Sequence, residues 1–357
     1  MYVKSGFKVY GQEQVIRGDI NYGDYFITAE KYRELENCSV RPGDILLSLV
    51  GTLGKLLEIP DGAPKGIINP RLIRFSFSKT LISPCFFRFL FESNRNQSLL
   101  SKRAQGGTMG VLNAGILKSF KIVVPSKPEQ DLIGNALNDV EELIKSLGKL
   151  IEKKNLLKLG VMTALLSGET RLPGFNRPWE LKQLGSFIEI RKGQLITEKK
   201  AIKGNIPVIA GGLTFSYYHN QSNRDPNVIT ISASGANAGY VGFHPYKIFA
   251  SDCSTIEESN TFDIRFLYFI LKLRQQEIYK LQTGGAQPHV YPEQLKSLDL
   301  SFPRIEEQIA ISTVINDMEK EIRVLESKLH KTKLIKEGMT QELLSGRIRL
   351  FSKNGIE

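Results

Sequence analysis

The run from Gly106 to Leu172 returns without a gap, shifted by 178 positions, as Gly284 to Leu350. The copies open GGTMGVLNAGILKSFKIVVPSKPEQ and GGAQPHVYPEQLKSLDLSFPRIEEQ, close KLGVMTALLSGETRL and KEGMTQELLSGRIRL, and share about two dozen identical positions. A period this long exceeds the roughly 20 to 50 residues of solenoids and propellers. The repeating unit is therefore a whole module, and function is expected in two halves.

From Met1 to about Gln105 short β-like runs alternate with turn residues. RPGD precedes Ile45-Leu46-Leu47-Ser48, GTLGK follows, and PDGAPKG leads to a stretch ending Arg71-Leu72-Ile73-Arg74-Phe75. From Ser83 to Leu100 the period becomes helical, with Phe86, Phe87, Leu90 and Phe91 on the apolar side, read as core and not as stacking platforms. Ile122-Val123-Val124 reads as a last strand. The same grammar returns from Trp179 to Thr283, with Val228 to Ser232 and SGANAG in place of Ile45 to Ser48 and GTLG, and Phe266 to Leu271 in place of Phe86 to Phe91.

Each module ends in a long helical pattern. Ser126 is spaced for a capping box with Glu129, and Pro128 lies in the first turn, where its missing N–H costs nothing. Ile133, Val140 and Leu147 recur every seven residues beside Leu137, Ile144 and Ile151, an a/d seam of about three heptads. The second copy repeats it as Ile311, Met318 and Leu325 beside Ile315, Ile322 and Leu329. Two stripes of one period are most simply buried against each other as an antiparallel coiled coil, each helix reaching about 55 Å if unbroken. Leu-Leu-Ser-Gly closes both patterns with glycine placed for a left-handed cap. Lys145, Lys149, Lys153, Lys154 and Lys158 read as a solvated face. The fold class is α+β: two globular α/β domains alternating with two long paired helices in a pseudo-twofold repeat. The expected boundaries are 1–125, 126–170, 171–303 and 304–357.

A formal charge of +11 and a pI near 9.4 favour a polyanionic partner, nucleic acid first. Cys38, Cys85 and Cys253 are odd in number and far apart, so they suit a reducing cytoplasm and give no paired metal spacing. No apolar run is long enough to span a bilayer. Nor does the sequence spell a reaction. His219, His244, His289 and His330 are isolated, Gly51-Thr52-Leu53-Gly54-Lys55 is too short for a phosphate loop, and Asn69-Pro70-Arg71 lacks the second proline and aromatic of an amino-methyltransferase signature. These absences favour a binder over an enzyme, with no metal and no resident cofactor.

Together these residues resemble the specificity (S) subunit of type I restriction–modification systems. P-x-x-x-E-Q opens both long helices (Pro125, Glu129, Gln130; Pro303, Glu307, Gln308), L-L-S-G-x-x-R-L closes both (Leu165 to Leu172; Leu343 to Leu350), and LPGF-x-x-x-W-x-x-x-x-L-G starts the second domain (Leu172 to Gly185). The first domain departs from this: no W-x-x-x-x-L-G precedes Met1-Tyr2-Val3, so it is expected to lack its usual N-terminal start. The resemblance implies that each target-recognition domain reads one half of a split double-stranded DNA site. The helices set the separation and dock two modification (methyltransferase) subunits, and restriction subunits join the complex. S-adenosylmethionine and ATP belong to those partners, not to this cytoplasmic, non-catalytic chain.

Lysines and arginines on loops would neutralise phosphates, and a few polar side chains would read bases. Loop position nominates Asn69, Arg71, Lys102, Arg103, Gln105 and Thr108 in the first domain, and Asn223, Arg224, Ser234, Asn237, Lys280, Gln287, His289 and Tyr291 in the second. Fewer than half are expected to touch DNA, the rest being solvated. Two other readings are a self-sufficient DNA methyltransferase, which would bind S-adenosylmethionine unaided, and a truncated scaffold or decoy that binds modification subunits but no DNA.

Overall fold

The computed structural model describes residues 2–49, 54–78, 80–104 and 114–350. The first module runs β1 (Phe7–Tyr10), α1 (Gln12–Arg17), β2 (Phe26–Ile27), α2 (Ala29–Glu34), β3 (Ile45–Ser48), β4 (Leu56–Glu58), β5 (Gly66–Ile68), β6 (Leu72–Phe75), α3 (Pro84–Glu92), α4 (Asn94–Ala104), α5 (Ala114–Lys118) and the long α6 (Lys127–Leu166). The second runs β7 (Glu180–Gln183), β8 (Arg191–Lys192), β9 (Ile206–Ile209), β10 (Tyr217–His219), β11 (Val228–Ser232), β12 (Val241–His244), β13 (Phe249–Ala250), β14 (Cys253–Ile256), α7 (Ile264–Leu273), α8 (Gln275–Lys280), α9 (Pro292–Lys296), β15 (Asp299–Phe302) and the long α10 (Ile305–Leu344). No helix among the described residues is long and apolar enough to cross a membrane.

Two compact units result: Met1–Gly148 with the stretch from Ser327, and Lys149–Glu326. Each contains half of α6 and half of α10. The sheets repeat one plan. In the first unit β1 pairs antiparallel with β2 and parallel with β5, while β3 lies between β4 and β6 in antiparallel register. In the second, β9 pairs antiparallel with β10 and parallel with β13, and β11 lies between β12 and β14. The central strands are ILLS and VITIS, buried along their whole length, the polar Ser48, Thr230 and Ser232 included. β14 also carries β8, and β15 pairs with β7.

α3 carries aromatic side chains on two of its sides because both are covered, with Arg88 and Glu92 between them. Phe87 and Phe91 pack on Ile45 and Leu47 of the sheet, whereas Phe86 and Leu90 pack on Ile133, Leu137 and Leu343 of the long helices. The helical stretch expected from Ser83 to Leu100 is broken at Ser93, whose backbone is extended and whose hydroxyl donates to the Leu90 carbonyl at 2.7 Å. Asn96 donates to the same carbonyl at 2.7 Å. Short polar side chains thus take over the bonds that a continuing helix would make. Ile122-Val123-Val124, expected as a last strand, has no ladder partner among the described residues and forms no strand.

Within each unit the two long helices run antiparallel. Ile133, Leu137, Leu147, Ile311, Ile315 and Ile322 are buried, and Val140, Ile144, Ile151, Met318, Leu325 and Leu329 are half-buried. The apolar seam then gives way to Lys154, Lys158, Thr332 and Lys336, none of them fully exposed. Lys154 meets Glu321 at 2.8 Å and Lys158 meets Glu319 at 3.2 Å in the second unit. Lys336 meets Glu141 at 2.8 Å in the first, at the positions related by the repeat. Lys154 and Lys158 are therefore turned toward the partner helix instead of lying on a solvated face. Burial opposes ionisation of Glu141, but hydrogen bonds from Lys336 and Arg88 outweigh it and hold its carboxyl below the usual range.

The two sequence signatures of each copy meet those of the other copy. Glu129 is buried and accepts from Arg349 Nε and Nη2 at 2.7 and 2.6 Å and from the Leu350 amide at 3.3 Å. Glu307 accepts from Arg171 through both oxygens at 2.6 Å. The expected capping box between Ser126 and Glu129 is thus replaced, because a guanidinium offers the carboxylate two charge-assisted bonds in place of one neutral amide. Those bonds from Arg349 hold the Glu129 carboxyl below its ordinary value against the opposing effect of burial. The adjacent glutamines tie each long helix to the start of a shorter one. Gln130 donates to the Pro125 carbonyl and accepts from the Ser83 amide, and Gln308 does the same with Pro303 and Asp263.

Candidate nucleic-acid interface

In the second unit three loops converge. The loop after β11 turns at Gly235 and Gly239, with φ of +82° and +88°, in a conformation that glycine adopts without strain. It is zipped to residues 283–291: the Val290 amide donates to the Ala233 carbonyl and the Gly235 amide to the Pro288 carbonyl, both at 3.0 Å. Thr283 and His289 exchange backbone bonds at 2.9 and 2.8 Å, closing a small hairpin. The loop after β9 joins them at Gly211, where a side-chain carbon would lie 2.7 Å from the Ser234 carbonyl oxygen.

This convergence brings several nominated residues together. The Ser234 hydroxyl donates to the Asp252 carboxylate, and the His289 and Tyr291 rings stack with centroids 5.9 Å apart. Gln287, Tyr291 and Lys280 are exposed, and Asn237 is half-buried. The surface offers amide and hydroxyl groups of the kind that read base edges, π-faces on which bases stack, and an ammonium for phosphate.

Asn223 and Arg224 are engaged within the unit. Asn223 exchanges two bonds with the backbone of Ala250, at 2.9 and 2.6 Å. Arg224 donates to Thr255 Oγ1, the Asn223 carbonyl and the Lys192 carbonyl at 2.8, 2.7 and 2.9 Å, and pairs with Glu257 at 3.2 Å. Both brace the sheet behind the loops. In the first unit the Asn69 side chain accepts from the Arg71 amide at 2.9 Å, shaping a turn that leaves Arg71 exposed. Lys102 is exposed on α4, while the Arg103 side chain, Gln105 and Thr108 lie outside the described residues. The segment 213–218 adds an apolar group that loop position did not single out. Leu213, Phe215 and Tyr218 are all exposed, with the two rings 4.8 Å apart. The signal was legible as L-T-F-S-Y-Y, aromatics interleaved with hydroxyls directly after a Gly-Gly turn.

The model of the type I restriction modification DNA specificity domain matches this chain twice, over residues 1–154 and 176–333. The chain belongs to that family. As a specificity subunit it is 25% identical over 342 residues to a Methanocaldococcus jannaschii chain that carries the name of the MjaX type I restriction enzyme specificity subunit, covering 86% of this chain and 79% of that one. It is 20% identical to the MjaVIII specificity subunit of the same organism, covering 91% and 84% of the two chains. Among solved structures, the S subunit of a type I restriction–modification system from M. genitalium superposes with a TM-score of 0.67 at 15% identity, covering 96% of this specificity subunit and 90% of that chain. A second, from work on complex assembly and conformational transition of the type I system, gives 0.54 at 16% identity, covering 87% and 83%. At these identities the structural likeness is one of fold.

Proposed function

We propose that each unit of this specificity subunit reads one half of a split double-stranded DNA target, and that the paired helices set the distance between the halves. On this reading the helices also dock two modification subunits, which bring S-adenosylmethionine, and restriction subunits bring ATP-driven chemistry. The subunit itself acts in the cytoplasm and contributes recognition but no catalysis. One observation carries the reading: the family match falls once on each module, and the signature residues of each copy are bound by the other, Glu129 by Arg349 and Glu307 by Arg171. A chain that exchanges its helix-end contacts in this way is suited to holding two readers in one register. The readers proposed are Ser234, Asn237, Lys280, Gln287, His289 and Tyr291 in the second unit and Asn69, Arg71 and Lys102 in the first.

The test mixes the chain with its cognate modification subunit and sequences the methylated fraction of a random DNA pool. Two short specified blocks separated by a fixed unspecified spacer are expected; methylation without any split preference would sink the proposal. A salt series on the bound fraction should show the steep slope of phosphate neutralisation.

A further inference from the structure

We propose, resting on the reading of the units as DNA readers, that the turn between β9 and β10 is an apolar wedge that enters the base stack of one half-site. The second unit would then read DNA partly through the ease with which one base step opens, a mode that needs no hydrogen bond to a base. Leu213, Phe215 and Tyr218, on this turn and its outgoing strand, are 56%, 44% and 49% exposed. Large apolar side chains grouped at a protruding tip mark a surface that a partner covers.

The tip is braced from several sides. The Ser216 amide donates to the Val208 carbonyl at 2.9 Å, which fixes the backbone beside Phe215, and the Tyr218 ring backs the Phe215 ring with centroids 4.8 Å apart. At the same end of the sheet the Ser251 amide donates to the Ile209 carbonyl at 2.8 Å, and Ser251 Oγ accepts from the Ile196 amide at 3.1 Å. The Tyr217 hydroxyl donates to the Ile196 carbonyl at 2.6 Å. These bonds bring Leu195, 76% exposed, to the end of the sheet where the turn begins. The close approach of Gly211 to the Ser234 carbonyl sets the turn directly beside the polar loops, so wedge and candidate base readers share one surface.

Charge selects the occupant. From Lys199 to Arg224 the sequence holds no Asp or Glu, and Lys199, Lys200 and Lys203 are exposed on a segment tied to β10 by the Ile202 amide, which donates to His219 Nδ1 at 3.0 Å. Asp252, the carboxylate beside Gly211, is engaged by the Ser234 hydroxyl. An acid-free apolar tip flanked by lysines suits a polyanion with flat apolar faces inside it, which is duplex DNA. Phe and Leu wedges unstack a base step and kink the duplex, and pyrimidine–purine steps yield most readily. A step opened in this way is specified although no side chain bonds its base edges. In the first unit the corresponding connection, between β1 and β2, holds α1 instead of a Gly-Gly turn, so the wedge belongs to one half-site.

The test uses the full chain with its cognate modification subunit and the split duplex recovered from the methylated random pool, with 2-aminopurine replacing adenine at successive positions of both half-sites. Binding is expected to raise 2-aminopurine fluorescence at one pyrimidine–purine step of one half-site. Phe215→Ala should abolish that rise and weaken affinity about tenfold, with the salt slope unchanged because no phosphate contact is lost, whereas Phe215→Leu should keep most of both. Circular dichroism checks that the variants, altered at an exposed position, keep their fold. Full affinity of Phe215→Ala, or a parent complex with no unstacked step, would overturn the wedge and leave the two-reader proposal standing. A parent complex without any split preference would overturn both. Loss of modification-subunit binding by Phe215→Ala would also overturn the wedge, making that protein the occupant of the tip.

Discussion

Glu129 carries a charge that the rest of its surroundings would exclude. It is 4% exposed and stays ionised because Arg349 binds both of its oxygens. A carboxyl whose folded pKa lies below its unfolded value stabilises the fold above that unfolded value, and the contribution is lost as pH falls through the lowered one. Arg349→Ala should therefore lower Tm at pH 7, and should remove part of the acid sensitivity that the parent chain shows below the ordinary glutamate value of 4.5. Glu129→Gln combined with Arg349→Ala should lose less than the sum of the two single changes, since they share one interaction. His244 titrates in the same direction in the second unit, but in a higher pH window. Its ring bonds Thr230 Oγ1 at 2.9 Å, and burial pushes its pKa down to about 4 from 6.5. An unfolded imidazole takes its proton first, so this contribution is intact above 6.5 and falls away as pH drops from there toward 4. Urea titrations should show a loss of up to about 2 kcal/mol between pH 7 and 5, absent in His244→Gln. Base-reading and phosphate-binding roles separate at the same scale. Gln287→Ala should relax preference in one half-site only, whereas Lys280→Ala should weaken binding to all sequences and flatten the salt slope by about one unit. Sequence alone did not sort these residues from Arg224. A loop arginine looks the same whether it faces phosphate or, as here, three internal acceptors and a carboxylate.

At the scale of elements, the heptads of α6 and α10 were readable because burial on one stripe forces a period that no other element shares. What the period could not reveal is where the stripe turns polar. Lys158 and Lys336 occupy seam positions yet pair with Glu319 and Glu141 across the helices, an arrangement that needs the other copy's register to be seen. The sheets were legible through ILLS and VITIS, while Ile122-Val123-Val124 shows that a β-prone run becomes a strand only when a neighbour completes its ladder. The seam makes its own prediction. Leu137 is fully buried between α3 and the C-terminal half of α10, so Leu137→Ala should cost about 2–5 kcal/mol in chemical denaturation. Leu156→Ala, on an exposed position of the same helix, should cost under about 0.5 kcal/mol. Equal losses at the two sites would show that the helix is not packed along the stripe described.

For the molecule as a whole, the 178-residue shift announced two modules before any element was assigned, because a repeat of that length can only be a domain. The recognised bases were not announced, since they depend on loop side chains whose partner is absent from the sequence. The proposed ruler can be tested without knowing them. Each long helix passes from one compact unit to the other near Gly148–Lys149 and Glu326–Ser327, so a heptad inserted at both points leaves each unit's own packing and the a/d register intact. Seven helical residues add about 10 Å, close to three base pairs at about 3.4 Å each. The two half-sites read from a methylated random pool should keep their sequences while the spacer grows by about three base pairs. A heptad in only one helix should lower Tm, because the reciprocal pairs Glu129–Arg349 and Glu307–Arg171 cannot then both form with the seam in register. An unchanged spacer after the double insertion would mean that the helices hold the units together but do not set their separation on DNA.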